Sequence, residues 1–199
     1  MVDHFSHKAK DYERNKDRVG NVDAIAQAIS RQVGIRPDME LVDFGSGTGL
    51  LLERMAPSVR KITAIDVSPA MNEQLRAKVE QIPCEVIVYE IDLEQERVEG
   101  VFDGIISSMT MHHIRDVDAM LETFFRMLKP GGFIALADLE AEDGTFHSDN
   151  TGVHHSGFVQ EDIAQRARQV GFGEVAVSTV STIHKPQRDY PVFLLVGVR

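Results

Sequence analysis

The sequence predicts an α/β domain built on a mostly parallel sheet with helices on both faces. Three observations carry that prediction. The apolar run Leu41-Val42-Asp43-Phe44 passes through Gly45-Ser46-Gly47-Thr48-Gly49 straight into a helical pattern, a strand–turn–helix opening. Strand and helix patterns then alternate along the chain, which favours parallel pairing. The strand segments are apolar on both faces, as strands covered by helices must be.

Each element follows from its own residues. Asn21 reads as the cap of a helix through about residue 33, with Val22, Ile25, Ala26, Ile29 and Val33 spaced by three and four, and Gly34 as its stop. The first strand spans about 40–44 and the helix after the glycine turn about 49–56. Residues 61–66 form the second strand. Ser68-Pro69 starts a helix to about 81, with Ser as cap and Pro at the first helical position. Strands follow at 84–90 and 102–107, separated by the acidic segment 92–100. Asp116 caps a helix through about 128, burying Val117, Met120, Leu121, Phe124 and Leu128. Lys129-Pro130-Gly131-Gly132 reads as a turn into a strand at 133–138. Residues 139–158 form a long polar loop, of a length that in a compact domain is usually functional or disordered. A helix over 161–170 closes on Gly171. Two strands, 174–182 and 192–198, end the chain, joined by a loop over 183–191 and paired antiparallel because no helix separates them.

Bulk properties narrow the class. A chain of 199 residues with 43% hydrophobic content suffices for one well-buried domain, so residues 1–199 are read as a single domain with 1–20 as a terminal flap. The net charge of −10 opposes non-specific binding to nucleic acid or to an anionic membrane. The lone Cys84 cannot form an internal disulfide, and no signal or membrane-spanning segment is present, so a cytoplasmic setting is expected.

The glycines have a physical role. Without Cβ atoms they take positive φ and let a ligand approach bare backbone, while the following helix adds N–H groups at its start. A dinucleotide site needs G-x-G-x-x-G, yet Leu50 stands where its third glycine belongs, and no P-loop Gly-Lys follows. An NAD-dependent oxidoreductase is therefore the weaker reading. Asp66 ends the next strand, 21 residues after Gly45, where a carboxylate can accept both hydroxyls of a ribose. Asp92, past the third strand, can accept from an adenine amino group.

Leu41–Gly49, Ala64–Met71, Ile91-Asp92-Leu93, Phe102–Ser107 and Leu128–Phe133 occur in the order and spacing of successive motifs of class I S-adenosylmethionine-dependent methyltransferases. The chain resembles that family over about residues 21–199, and is most similar to its small branch of ubiquinone and menaquinone biosynthesis methyltransferases. The resemblance implies a Rossmann-like seven-stranded sheet of order 3-2-1-4-5-7-6 with strand seven antiparallel. It implies that Asp43 and the backbone of Gly45, Ser46, Gly47 and Gly49 hold the methionine part of S-adenosylmethionine, that Asp66 takes the ribose, that Val67 and Met71 flank the adenine, that Asp92 and Leu93 meet its amino edge, and that Ser107 sits beside the sulfonium.

Methyl transfer from a sulfonium is an in-line displacement of an activated group, so positioning supplies much of the acceleration and a base is needed only for a protonated acceptor. His112 of the pair His112-His113, His147 in the long loop and Asp138 are the candidate catalytic groups. One histidine of the pair is expected to face the pocket. His147, Asp149, His154 and His155 are chemically able to bind a metal, but their spacing matches no compact metal motif and no resident metal is expected. Phe5, Tyr12, Arg18, Met109, Met111, Phe146 and Phe158 are candidate linings of an apolar acceptor site, and the N-terminal segment is expected to close over the cofactor with Tyr12 or Arg18 near its carboxylate. The expected function is methylation of a small-molecule acceptor by a monomer or homodimer, with a quinone or aromatic-ring methylase, or a non-catalytic S-adenosylmethionine-binding module, as alternatives.

Overall fold

The computed structural model describes residues 16–199. Phe5, Tyr12 and most of the expected flap lie outside the described residues. The elements in chain order are α1 (Lys16–Gln32), β1 (Glu40–Phe44), α2 (Leu50–Met55), β2 (Lys61–Asp66), α3 (Pro69–Arg76), β3 (Glu85–Glu90), β4 (Phe102–Ser108), α4 (Val117–Met127), β5 (Leu128–Leu139), α5 (Gln160–Val170), β6 (Gly173–Lys185) and β7 (Arg188–Val198). They form one seven-stranded sheet of order β3-β2-β1-β4-β5-β7-β6. The pairs within β3-β2-β1-β4-β5 are parallel, and β7 runs antiparallel to both β5 and β6. The expected architecture is the observed one.

Period-two alternation divides the core between the two faces of the sheet. Leu41, Ile106, Ala135 and Leu194 turn to one side, where α1, α2 and Leu75 of α3 pack. Val42, Ile105, Ile134 and Leu195 turn to the other, under α4 and α5. The caps behave as read. Ser68 Oγ accepts the Met71 N–H at 3.3 Å, Asp116 accepts the Ala119 N–H at 3.0 Å, and Gly171 ends α5 in the left-handed region.

Four expectations needed correction. Helix α1 starts at Lys16, so Asn21 is a buried interior residue and not a cap. Gly20 has open space around it and does not interrupt the helix. The third helix stops at Arg76, and a short 3-10 turn covers Val79–Gln81. Lys129–Gly132 belong to β5, with a register irregularity opposite Phe102 and Gly104, and do not form a free turn. The loop expected over 183–191 shrinks to Pro186-Gln187. The strands on either side continue as a paired ladder, Ile183 opposite Tyr190 and Lys185 opposite Arg188, because Tyr190 points inward and is fully buried.

Candidate functional site

The carboxyl ends of β1 and β4 meet a cavity of about 320 Å³, within the range of small-molecule sites. Asp43, Gly45, Ser46 and Gly47 line one side, Ser108, Met109, His112 and His113 the centre, and Phe146, His147, Ser148 and Asp149 a third wall. Arg18 and Asn21 from α1, and Ile183, His184 and Lys185 from the end of β6, complete it.

The glycine turn offers room more than donors. Gly45 and Ser46 give their N–H groups to Ile65 O (2.8 and 3.1 Å), Gly47 gives its own to Asp66 Oδ2 (2.8 Å), and Gly49 to Ser46 O (2.8 Å). These donors, expected to face a ligand, are spent on folding the turn. Glycine is required at the first position: at φ +67° a Cβ on Gly45 would come within 2.1 Å of Thr110 Oγ1. A Cβ on Gly47 would meet nothing within 4 Å, so the turn's middle faces open space.

Asp43 supplies the unmet chemistry. Its carboxyl is buried, its Oδ2 has no hydrogen-bond partner, and Ser46 Oγ is likewise unpartnered. Burial, reinforced by the nearby Asp66 charge, pushes the Asp43 pKa up from 3.8 to about 7. A buried acceptor without a donor is costly, and a cationic ligand group at this spot would remove the cost. This is the arrangement that an amino-acid ammonium fits.

The remaining cofactor candidates do not line the cavity: Asp66 ends β2 with Val67 and Met71 following it, Asp92 and Leu93 lie just past β3, and Ser107 is within β4. Asp66 holds the Gly47 N–H on one oxygen and the Ser68 N–H (2.8 Å) on the other. Asp92 accepts from Glu94 N–H (2.9 Å) and the Gln95 amide (2.7 Å), capping the turn after β3. Val67 is exposed, whereas Met71 and Leu93 are buried. Ser107, expected beside a sulfonium, is fully buried and donates to Phe44 O at 2.7 Å; strand alternation puts Ser108 at the cavity in its place.

The carboxyl end of β4 is sharply bent. Met109 takes φ 60°, a left-handed conformation unusual for a non-glycine residue, and is anchored by its N–H to Ala137 O at 2.8 Å. The bend delivers Met111–His113 as one 3-10 turn. His112 and Asp138 are both buried, with His112 Nδ1 2.7 Å from Asp138 Oδ1 and the His112 backbone N–H donating to Oδ2 at 3.1 Å. Leu139 N–H adds a third bond at 2.7 Å. Burial alone would raise the Asp138 pKa, but His112 and these donors together hold it below the usual carboxylate value. The carboxylate accepts the proton of His112 Nδ1, and in the neutral ring that leaves Nε2 as an acceptor. His147 Nε2 lies 3.1 Å from that nitrogen.

Both histidines of the pair line the cavity, where one was expected. His113 donates from Nδ1 to Gly152 O at 2.7 Å. The set His147, Asp149, His154 and His155 is not brought together: His155 bonds Ile114 O, His154 bonds Arg115, and both backbones are tied to His112 O. Met111 and Phe158 pack into the core under α4 and α5, not into the cavity. Glu140 faces Gln160 and Thr179. The loop 140–159 is firmly held, with Glu142 N–H on Ser156 O (2.9 Å) and Thr145 Oγ1 on Tyr190 Oη (2.7 Å). Gly157 is forced there, since a Cβ would strike Glu140 O at 2.2 Å. His184 and Lys185 escape a reading of the sequence because 183–191 looks like loop; the alternation Ile183-x-Lys185 and Arg188-x-Tyr190 is the available signal. Cys84 stands just ahead of β3, half-buried, with its thiol pKa raised by burial.

Comparison with known proteins agrees with this architecture. The profile of a family described as methyltransferase domain matches residues 14–177. An uncharacterised methyltransferase of Schizosaccharomyces pombe is 31% identical over 170 residues, 76% of this chain and 57% of that protein. The chain thus spans just over half the length of this relative. Among solved structures, a chain from the complex of the Haloferax volcanii Trm112 methyltransferase activator with a methyltransferase superposes with a TM-score of 0.78 at 20% identity, covering 100% of this chain and 98% of that one. A Haemonchus contortus phosphoethanolamine N-methyltransferase, solved with phosphomonomethylethanolamine and S-adenosylhomocysteine, gives 0.72 at 16% identity over 100% of this chain and 60% of that one. No helix among the described residues is long and apolar enough to cross a membrane. With the family profile covering most of its length, this chain belongs to the methyltransferase-domain family.

Proposed function

We propose that the protein transfers a methyl group from S-adenosylmethionine to a small-molecule acceptor held in the cavity. The observation that carries this reading is Asp43: a buried carboxyl with an unpartnered oxygen, beside an open glycine turn at the carboxyl edge of a parallel sheet. Asp43 and Ser46 would hold the amino-acid end of the donor, and Asp66 its ribose. Asp92, Val67 and Met71 would meet the base. When bound, S-adenosylmethionine supplies a methyl group already activated by the sulfonium. The structural neighbour solved with S-adenosylhomocysteine supports the choice of cofactor.

The chain's own residues then position and deprotonate. His112, oriented by Asp138, offers Nε2 to an acceptor proton, and His147 stands beside it at 3.1 Å. The 140–159 loop contributes Phe146 and His147 to one wall of the cavity. The cavity size and the acidic chain favour a small acceptor over a nucleic acid.

Incubation with labelled S-adenosylmethionine and a panel of phenols, amines, thiols and carboxylates tests the reading. Release of S-adenosylhomocysteine with one acceptor class is the expected result. Binding of S-adenosylhomocysteine with no turnover on any class would favour a non-catalytic binding module.

A further inference from the structure

Three imidazoles converge in the cavity in a way that methyl transfer does not require. His112, His113 and His147 each bring a ring nitrogen to within 4.8 Å of the others. They come from a 3-10 turn and a loop 34 residues further on, so the fold, not local sequence, assembles them. The ring centroid of His112 lies 4.2 Å from that of His113 and 5.0 Å from that of His147.

The groups behind these rings have the character of metal-site supports. A ligating histidine typically donates its other ring N–H to a carboxylate or a backbone carbonyl, which fixes the tautomer and raises ligand basicity. His112 does the first, to Asp138 at 2.7 Å, and His113 does the second, to Gly152 O at 2.7 Å. In both rings Nε2 is then the lone-pair nitrogen. The distance of 3.1 Å between His112 Nε2 and His147 Nε2 is close to the roughly 3.3 Å edge expected between two nitrogens about 2.05 Å from a tetrahedral ion. Asp138 is itself buried and further held by the His112 and Leu139 backbone N–H groups, so the support behind His112 is fixed in place.

We infer that His112, His113 and His147 form a three-histidine site for a borderline divalent ion such as zinc, with the fourth position open toward the cavity. Imidazole ligands select first-row transition ions over magnesium or calcium, which take oxygen. The site does not rest on the methyl-donor reading, since Asp43 and the glycine turn take no part in it. Occupancy has one consequence for that reading: His112 Nε2 cannot hold an ion and accept a proton at once.

The test uses the full chain, freed of metal by chelation, titrated with zinc against a chromophoric chelator and with cobalt followed by visible absorption. The expected result is one equivalent of zinc bound and intense, four-coordinate cobalt bands. His147→Gln and His113→Gln should each weaken zinc binding 100-fold or more, while His147→Asp, which restores a ligand atom, should recover part of it. Asp138→Asn should weaken it about 10- to 100-fold through the supporting shell. Thermal melts with zinc separate ligation from misfolding, because wild type should gain melting temperature and a folded His147→Gln should not. Equal zinc affinity in wild type and His147→Gln, or no zinc binding by wild type, would overturn the site. S-adenosylhomocysteine titrated in the presence of chelator reports separately on the methyl-donor reading.

Discussion

His112 Nδ1 lies 2.7 Å from Asp138 Oδ1, with the imidazole 1% and the carboxylate 0% exposed. Two distant stretches of chain, the turn after β4 and the end of β5, meet in this contact. Because β4 and β5 are parallel neighbours, both carboxyl ends arrive at the same edge. Asp138 also accepts the His112 backbone N–H, so it holds both the ring and the turn that carries it.

Asp138→Asn should therefore act on turnover rather than on cofactor binding. The amide leaves the shape intact but no longer enforces a protonated Nδ1, so kcat is expected to fall by about two to four orders of magnitude. Affinity for S-adenosylhomocysteine should stay within about twofold of wild type. Equal turnover in the two proteins would show that His112 is not the base.

The same carboxylate sets an acid limb in stability. Its folded pKa is below the ordinary value of 3.8, so its contribution is complete above that value and is lost as pH falls through the lower folded pKa. Denaturant melts should show wild type losing stability relative to Asp138→Asn as pH drops below about 4.

Asp43 works in the opposite sense. A carboxyl raised from 3.8 to about 7 favours its neutral form in the fold, so its contribution to stability is greatest below pH 3.8 and falls away as pH rises to about 7. The full swing is on the order of 4 kcal/mol at about 1.4 kcal/mol per unit. Asp43→Asn should raise the melting temperature at pH 8 while weakening S-adenosylhomocysteine binding at least tenfold. Ligand binding at pH 6 should release close to one proton from Asp43, detectable by calorimetry in buffers of different ionisation enthalpy.

Gly45→Ala tests the turn. A Cβ within 2.1 Å of Thr110 Oγ1 at φ +67° requires the turn or the Thr110 segment to move. A loss of roughly 1–3 kcal/mol in stability is expected from strain of this kind, together with loss of S-adenosylhomocysteine binding. Unaltered binding would mean that the turn is not the cradle.

Much of this is legible in the sequence, and the exceptions have physical reasons. Strand order follows from the family resemblance that the ordered motifs carry, and Ser68, Asp116 and Gly171 announce their helix ends because capping is local chemistry. Asn21 misleads for the same reason: it looks like a cap, but the preceding polar residues are equally compatible with helix, and α1 extends through them. Ser107 and Ser108 differ only in strand phase, and which one meets the cavity depends on where β4 ends. His112 and His147 are each visible as candidates, yet their 3.1 Å approach depends on how a chain separation of 35 residues folds back. The loop histidines His154 and His155 look identical to His147 in sequence and are turned away by bonds to Arg115 and Ile114. No local pattern encodes that distinction.

The central claim is that the pocket floored by Gly45–Gly47 and walled by Asp43 holds a methyl donor. Calorimetric titration of the full chain with S-adenosylhomocysteine, alongside NAD, tests it most directly. The predicted result is one-to-one binding of S-adenosylhomocysteine in the micromolar range, lost in Asp66→Ala, and no heat from NAD. Binding of NAD with none of S-adenosylhomocysteine would contradict it.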